Sequence, residues 1–414
     1  VLRYNFRLYP TSGQQAALAR AFGCARVVFN DALTARKHAY EAGRHMTDKE
    51  LSKALTLAKK RPDRAWLNDV SSVVLQQALA DLNAAYRNFF ASLAGKRKGT
   101  CVSAPRYRSR RNNRQSIRFT RNARFLITAG GKLRLPKIGD VRVAWSRQLP
   151  SAPSSVTVVK DASGRYFASF VVEMVTTPLP TSSSEVGIDL GLIRFAVLSN
   201  GNVIDNPRTL RNCERRISRV QRALARKQRG SKNRAKARVR MAKLHAKVAD
   251  ARRDFAHKQS TAIIRENQAV YVEDLCVKGL ARTRLAKSVN DAGWSIFIRM
   301  LESKAARFGR HFSRINRWYP STQLCSTCGA RNGAKLLSVR SWMCTCGAAH
   351  DRDLNAAKNI LAAGQAERLN ACGERISPTV MAAPPDEAGT RREGRVTLVG
   401  ISGLRAGEEA NTSR

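Results

Sequence analysis

The chain has 414 residues, 43 % hydrophobic and 25 % charged, an ordinary globular balance that excludes wholesale disorder and calls for several modules rather than one small core. Lys and Arg number 75 against 30 Asp and Glu, a formal net charge of +45 at pH 7 that would repel itself in a compact state unless a polyanion neutralised it. Nucleic acid is the obvious polyanion. Acidic membrane surfaces would attract the chain too, but no apolar run approaches the roughly 18 residues that span a bilayer. No apolar stretch of signal-peptide type follows the first residues, so a cytoplasmic, nucleoid-associated bacterial protein without a membrane partner is expected.

The opening VLRYNFRLYP alternates as a strand that ends at Pro10, and Thr11 with Gln14 three residues on opens a helix through Ala17, Leu18 and Phe22. Helical periodicity recurs from Val27 to about Ala42, from Asp48 to Lys60 and from Val70 to Leu93, a module of roughly 90 residues whose aromatics Phe29, Tyr40, Tyr86, Phe89 and Phe90 are expected in its core. From Lys96 the chain turns densely basic. It then breaks into short alternating runs, from SIRF to RYFASFVVEMV, the signature of a small antiparallel barrel or sheet. TTPLPTSSS (176–184) is a Pro/Ser-rich linker, followed by three strands in VGIDLGLIRFAVLSNGNVID with a Ser-Asn-Gly turn.

Between Arg208 and Lys258 about nineteen Lys and Arg face three acids, with Gly230 to Asn233 as the turn of a helical hairpin. So strong a bias favours a face for nucleic acid over a merely solvated helix, with Arg219, Arg222, Arg226 and Arg229 as candidate phosphate contacts. AVYVEDL reads as a buried strand, Trp294 to Phe308 as an amphipathic helix and HFSRINRWY as another strand. The tail, 373–414, loses periodicity and is expected to have little structure.

Nine cysteines in a reducing compartment do not suggest a disulfide framework, and Cys24, Cys101, Cys213, Cys276 and Cys372 are expected as small buried hydrophobes. The other four are clustered. Cys325-Ser-Thr-Cys328-Gly and Cys344-Thr-Cys346-Gly, fifteen residues apart, can close tetrahedrally on one structural Zn²⁺. The second pair is C-x-C, a tighter knuckle than the usual C-x-x-C. His350 is a rival ligand that follows Cys346 too closely to share the metal comfortably.

Three acids remain. Asp189 sits inside the apolar GIDLG strand, where an ionised carboxylate is costly unless a cation pairs with it, and the flanking glycines would admit a backbone or a phosphate. Glu273 ends VYVE, and DRDLNAA places Asp351 and Asp353 at the start of a helix of small residues suited to close packing on a sheet. Asp, Glu and Asp from two strands and a helix could hold two Mg²⁺ for phosphodiester hydrolysis.

The motifs YNFRLYPTSGQQ, GIDLG, VEDL, DAGW (291–294) and YPSTQLCSTCG…CTCGAAHDRDLNAAKNI, in this order over roughly residues 1–362, resemble the TnpB (OrfB) family of insertion-sequence proteins, which are similar to compact type V CRISPR effectors. The resemblance implies an α+β multidomain protein: a wedge β-barrel (1–10 and 96–180), an inserted helical recognition domain (11–95), a RuvC-like RNase H fold (181–318 and 350–372) and an inserted zinc ribbon (319–349). It implies an Mg²⁺-dependent, RNA-guided DNA endonuclease that holds a transposon-end guide RNA and cuts double- or single-stranded DNA beside a short flanking motif; a single protein copy per ribonucleoprotein is expected, though the sequence does not separate monomer from dimer. The family's catalytic acids fall on Asp189, Glu273 and Asp353 and its zinc ligands on Cys325, Cys328, Cys344 and Cys346. Should the helix start near Asp351, that residue would be its N-cap, and Asp353 would lie about 200° round the helix. A strand-transferase using the same acids and a catalytically silent RNA-guided repressor are the competing functions.

Overall fold

The computed structural model describes residues 1–371 apart from 98, 111–113, 175, 177 and 337; Cys372 and the expected tail lie outside the described residues. β1 (Leu2–Tyr9) buries Tyr4, Phe6 and Leu8 on one face, as strand alternation requires. Thr11 completes its capping box with Gln14 and starts α1 (Ser12–Glu41), which runs unbroken for 30 residues where periodicity suggested two helices. The buried stripe of Leu18, Phe22, Ala25, Phe29 and Ala32 crosses Gly23 without a shift, and that packing outweighs glycine's cost of about 1 kcal/mol in a helix. α2 (Asp48–Lys60) and α3 (Ser72–Leu93) follow, separated by a 3₁₀ segment, Pro62–Asp69. Phe29 is buried and Tyr86 and Phe89 are half-buried, but Tyr40 and Phe90 are exposed, contrary to expectation. Phe90 lies beyond Leu82, the last buried residue of α3, and Tyr40 lies in the final turn of α1.

β2 (Gln115–Thr120), β3 (Leu126–Ile127), β4 (Lys132–Leu135), β5 (Gly139–Ala144), β6 (Ser155–Lys160) and β7 (Tyr166–Val172) join β1 in a seven-stranded antiparallel sheet of order β2-β6-β7-β1-β5-β4-β3. The first ten residues are thus stitched into a sheet made mostly a hundred residues later. The helices between pack in the same hydrophobic core, where Phe22, Val28 and Leu75 meet Phe6, Phe119 and Phe170.

β8 (Glu185–Leu190), β9 (Arg194–Leu198), β10 (Val203–Asp205), β11 (Ala269–Glu273) and β12 (His311–Ile315) form a second sheet of order β10-β9-β8-β11-β12. β8, β11 and β12 are parallel; β9 runs against β8, and β10 runs against β9. The hairpin α4 (Thr209–Ala225) and α5 (Lys232–Glu266) joins β10 to β11, and α6 (Val277–Leu280), α7 (Ala286–Ala292) and α8 (Trp294–Phe308) lead from β11 to β12. α5 and α8 cover one face of the sheet; α9 (Arg352–Ala371) covers the other. A small hairpin, β13 (Ser341–Met343) and β14 (Ala349–Asp351), leads directly into α9. Cys24 is buried and Cys213 half-buried, but Cys101 and Cys276 are exposed, because both stand in loops rather than on a core-facing stripe.

Candidate active site and metal centre

Parallel pairing sets Gly187 beside Tyr271 and Ile188 beside Val272; one step further brings Asp189 beside Glu273 at the C-terminal edge of β8 and β11. Alternation then decides where the carboxylates point. Val186, Ile188 and Leu190, like Val270 and Val272, enter the core under α5 and α8, so Asp189 and Glu273 turn to the face that α9 covers. There the helix lies against the strands. A Cβ on Gly187 would stand 2.2 Å from the Ala357 carbonyl oxygen, and one on Gly364 would stand 2.1 Å from the Tyr271 ring. Gly187 therefore serves the approach of a backbone and not of a phosphate, and a Cβ on Gly191 would likewise stand 2.8 Å from the Arg194 carbonyl oxygen. Asp353 precedes Ala357 by one turn on the same stripe of α9, which sets it against Asp189.

Burial, then the negative charges of Asp353 and Glu273, push the Asp189 carboxyl up to about 7, only partly offset by Arg352 and Arg340. Burial and Asp274 also raise Glu273. Neither carboxylate is held by a hydrogen bond or an ion pair among the described residues. Buried acids that repel one another without a partner suit a site for divalent cations. Asp353 points an oxygen at Arg340, 3.3 Å away.

Asp351 has a different task. Its Oδ1 accepts the N–H groups of Asp353 and Leu354, both at 3.0 Å, and its other oxygen pairs with Arg194 at 3.2 Å. Burial alone would raise its carboxyl, but the Leu354 N–H, Arg194 and the Asp353 N–H overcome it and hold the group below its ordinary value. Asp351 is the helix cap and Asp353 the acid that faces the sheet.

Among the described residues only Cys325, Cys328, Cys344 and Cys346 bring three or more metal-ligand atoms within 4.8 Å of one another; the three carboxylates stand further apart. Each knuckle closes on a glycine with positive φ, Gly329 bonding back to the Cys325 carbonyl and Gly347 to that of Cys344. The C-x-C pair thus makes its turn in one residue fewer. The Cys346 N–H draws the Cys344 thiol down to about 5. On Cys328 the Ala330 N–H acts the same way, but the neighbouring Cys346, Cys325 and Cys344 outweigh it and push that thiol up to about 12. Four crowded sulfurs competing for charge fit a structural zinc ion, which takes all four as thiolates. His350, set aside on spacing, comes close after all: the β13–β14 pairing turns it back so that Nε2 lies 3.0 Å from Cys325 Sγ, with its ring against Trp342.

Several residues carry roles that the motifs did not announce. Asn355 donates to the Leu324 carbonyl at 2.7 Å and accepts from the Ser326 N–H at 2.8 Å, and Asn359, one turn on, donates to the Ser321 and Leu324 carbonyls. The first cysteine knuckle is therefore bolted to the helix that bears Asp353. Two asparagines at i, i+4 in an otherwise small-residue helix were the available signal. Asp291 of the DAGW segment accepts from the Thr209 hydroxyl and the Leu210 and Arg211 N–H groups and pairs with Arg252, fixing the start of the basic hairpin. Arg219, Arg222, Arg226 and Arg229 are all exposed along that hairpin.

A family model described as a probable transposase (OrfB of IS605) matches residues 169–284, and one described as a Cas12f1-like TNB domain matches residues 294–360. A protein of Streptomyces pristinaespiralis named "Putative RNA-guided DNA endonuclease" is 43 % identical over 406 residues, covering 97 % of this chain and 98 % of its own length. The chain belongs to the TnpB (OrfB) family. InsQ of Escherichia coli K12, which carries the same description, is 32 % identical over 392 residues, covering 90 % and 94 % of the two chains. Cas12f1, solved in complex with sgRNA and target DNA, shares the fold at a TM-score of 0.51 and 13 % identity, over 84 % of this chain and 82 % of that one. A helix-turn-helix model also matches residues 2–45 of this TnpB-family chain, but the segment is a strand followed by one long helix. No helix among the described residues is long and apolar enough to cross a membrane.

Proposed function

We propose that this protein is an RNA-guided DNA endonuclease of a transposable element, which holds a transposon-end guide RNA and cleaves DNA with Asp189, Glu273 and Asp353. The observation that carries the proposal is the convergence of these three acids on one face, with Asp189 pushed up to about 7 by burial and by the other two charges. In this reading Asp189, Glu273 and Asp353 hold two Mg²⁺, which when bound would activate water and neutralise the scissile phosphate. The Arg340 guanidinium beside Asp353 is placed to take up charge that develops on that phosphate. Four cysteines hold one zinc ion, and the zinc ribbon (319–349) is braced on the catalytic helix through Asn355 and Asn359.

The seven-stranded sheet with its inserted helices supplies the wedge (1–10 and 96–180) and recognition (11–95) parts, and the five-stranded sheet with α9 the RuvC-like nuclease (181–318 and 350–372). Base pairing with the guide selects the target, while the protein grips phosphates through the exposed arginines of α4 and the turn after it. Expression with its own transposon end, purification and sequencing of the bound RNA test the reading. A defined 3′ segment should copurify, and replacing it should redirect cutting. Cleavage of transposon ends without RNA would instead favour a strand-transferase.

A further inference from the structure

Trp318 is 84 % exposed, the most exposed of the tryptophans, with Trp66 next at 40 %. Its mount is rigid. The Trp318 N–H donates to Asn316 Oδ1 at 2.9 Å, the Tyr319 N–H donates to the Asn316 carbonyl at 3.0 Å, and Tyr319 packs into the core beneath α9. The turn begins where β12 ends at Ile315, and Ile315 is the register partner of Glu273. Arg317, next to Trp318, pairs with Asp274, next to Glu273. The indole therefore follows the C-terminal end of β12, the strand beside the one that carries Glu273, and lines an open hollow of about 710 Å³ with Asp274, Arg314, Ile315, Asn316, Arg317 and Glu367.

The surroundings say what would cover it. A protein partner buries an aromatic anchor within an apolar setting, whereas all but one of the other side chains lining this hollow are charged or amide, the exception being the buried Ile315. Nucleobases stack on such isolated rings whatever their identity, and nearby arginines meet the backbone. Resting on the nuclease function proposed above, we propose that Trp318 is a stacking platform for an unpaired base of the DNA strand entering the site. It holds the strand a short distance from the bond to be cut, a positioning residue for the single-stranded substrate.

Single-stranded DNA carrying 2-aminopurine at successive positions, mixed without divalent cations with the full chain and its RNA, reports stacking as fluorescence quenching. Wild-type protein should quench at one or two adjacent positions, Trp318→Ala should lose that quench, and Trp318→Phe should keep most of it. In cleavage, Trp318→Ala should raise KM for single-stranded DNA about tenfold with kcat little changed, and Trp318→Phe should restore it. Zinc content and melting temperature should not move, since the ring supports no core. An unchanged quench or KM in Trp318→Ala overturns the platform while leaving the nuclease standing. A Trp318-dependent quench from a wild-type protein that cuts nothing keeps the platform and sinks the nuclease.

Discussion

Asp351 and Asp353 stand two residues apart, and the structure predicts opposite consequences for removing them. Asp351→Ala deletes an N-cap that accepts two backbone N–H bonds, at a cost of about 1 kcal/mol. It also deletes the pair with Arg194, in which both side chains are more than a third exposed, worth ~0.5 kcal/mol after solvent screening. The sum of about 1.5 kcal/mol should lower the melting temperature by roughly 3–6 °C in a domain of this size. Cleavage should fall only in part, because the helix stays packed through Gly187 and Gly364. Asp353→Ala removes a carboxylate that faces like charge at Asp189 and loses only a partly exposed pair with Arg340. Its melting temperature in EDTA should match or exceed that of the wild type. Cleavage should fall by about a thousandfold or more, the equivalent of several kcal/mol of lost metal-assisted catalysis, while guided DNA binding persists. Thermal melts in EDTA beside cleavage of a guide-matched plasmid in Mg²⁺ measure both effects on the same preparations. If Asp353→Ala still cuts and Asp351→Ala does not, the assignment is wrong by two residues.

Metal analysis should find about one zinc per chain, and Cys325→Ser should lose it together with stability and activity, since Asn355 and Asn359 tie that knuckle to the helix that bears Asp353; a fully active zinc-free protein contradicts this. Replacing Arg219, Arg222, Arg226 and Arg229 together with alanine should weaken nucleic-acid binding and reduce the logarithmic salt slope by about 3; unchanged affinity across a salt series would show the face to be merely solvated. Gly187→Ala and Gly364→Ala should each destabilise by about 3 kcal/mol, because the new methyl meets a carbonyl or a ring at little over 2 Å. A denaturant titration that finds either variant as stable as the parent would disprove the tight α9 seat.

The sequence by itself determined the elements and the kinds of chemistry. Thr11 with Gln14, the alternation of β1, the span of α8 and the cysteine knuckles are local, because a cap, a strand face or a glycine turn depends on residues only a few places apart. The acids were legible as isolated anomalies, a carboxylate in an apolar strand being costly wherever it occurs. Tertiary structure decided which anomalies meet. Parallel register sets Asp189 beside Glu273 across more than eighty residues of sequence, and the seat of α9 on Gly187 then chooses Asp353 over Asp351. Arg340, Asn355, Asn359 and Asp291 had no local signature strong enough to name them, since each acts through a partner distant in the chain. The exposure of Trp318, Tyr40 and Phe90 was equally hidden, because whether an aromatic is covered depends on where the neighbouring elements end.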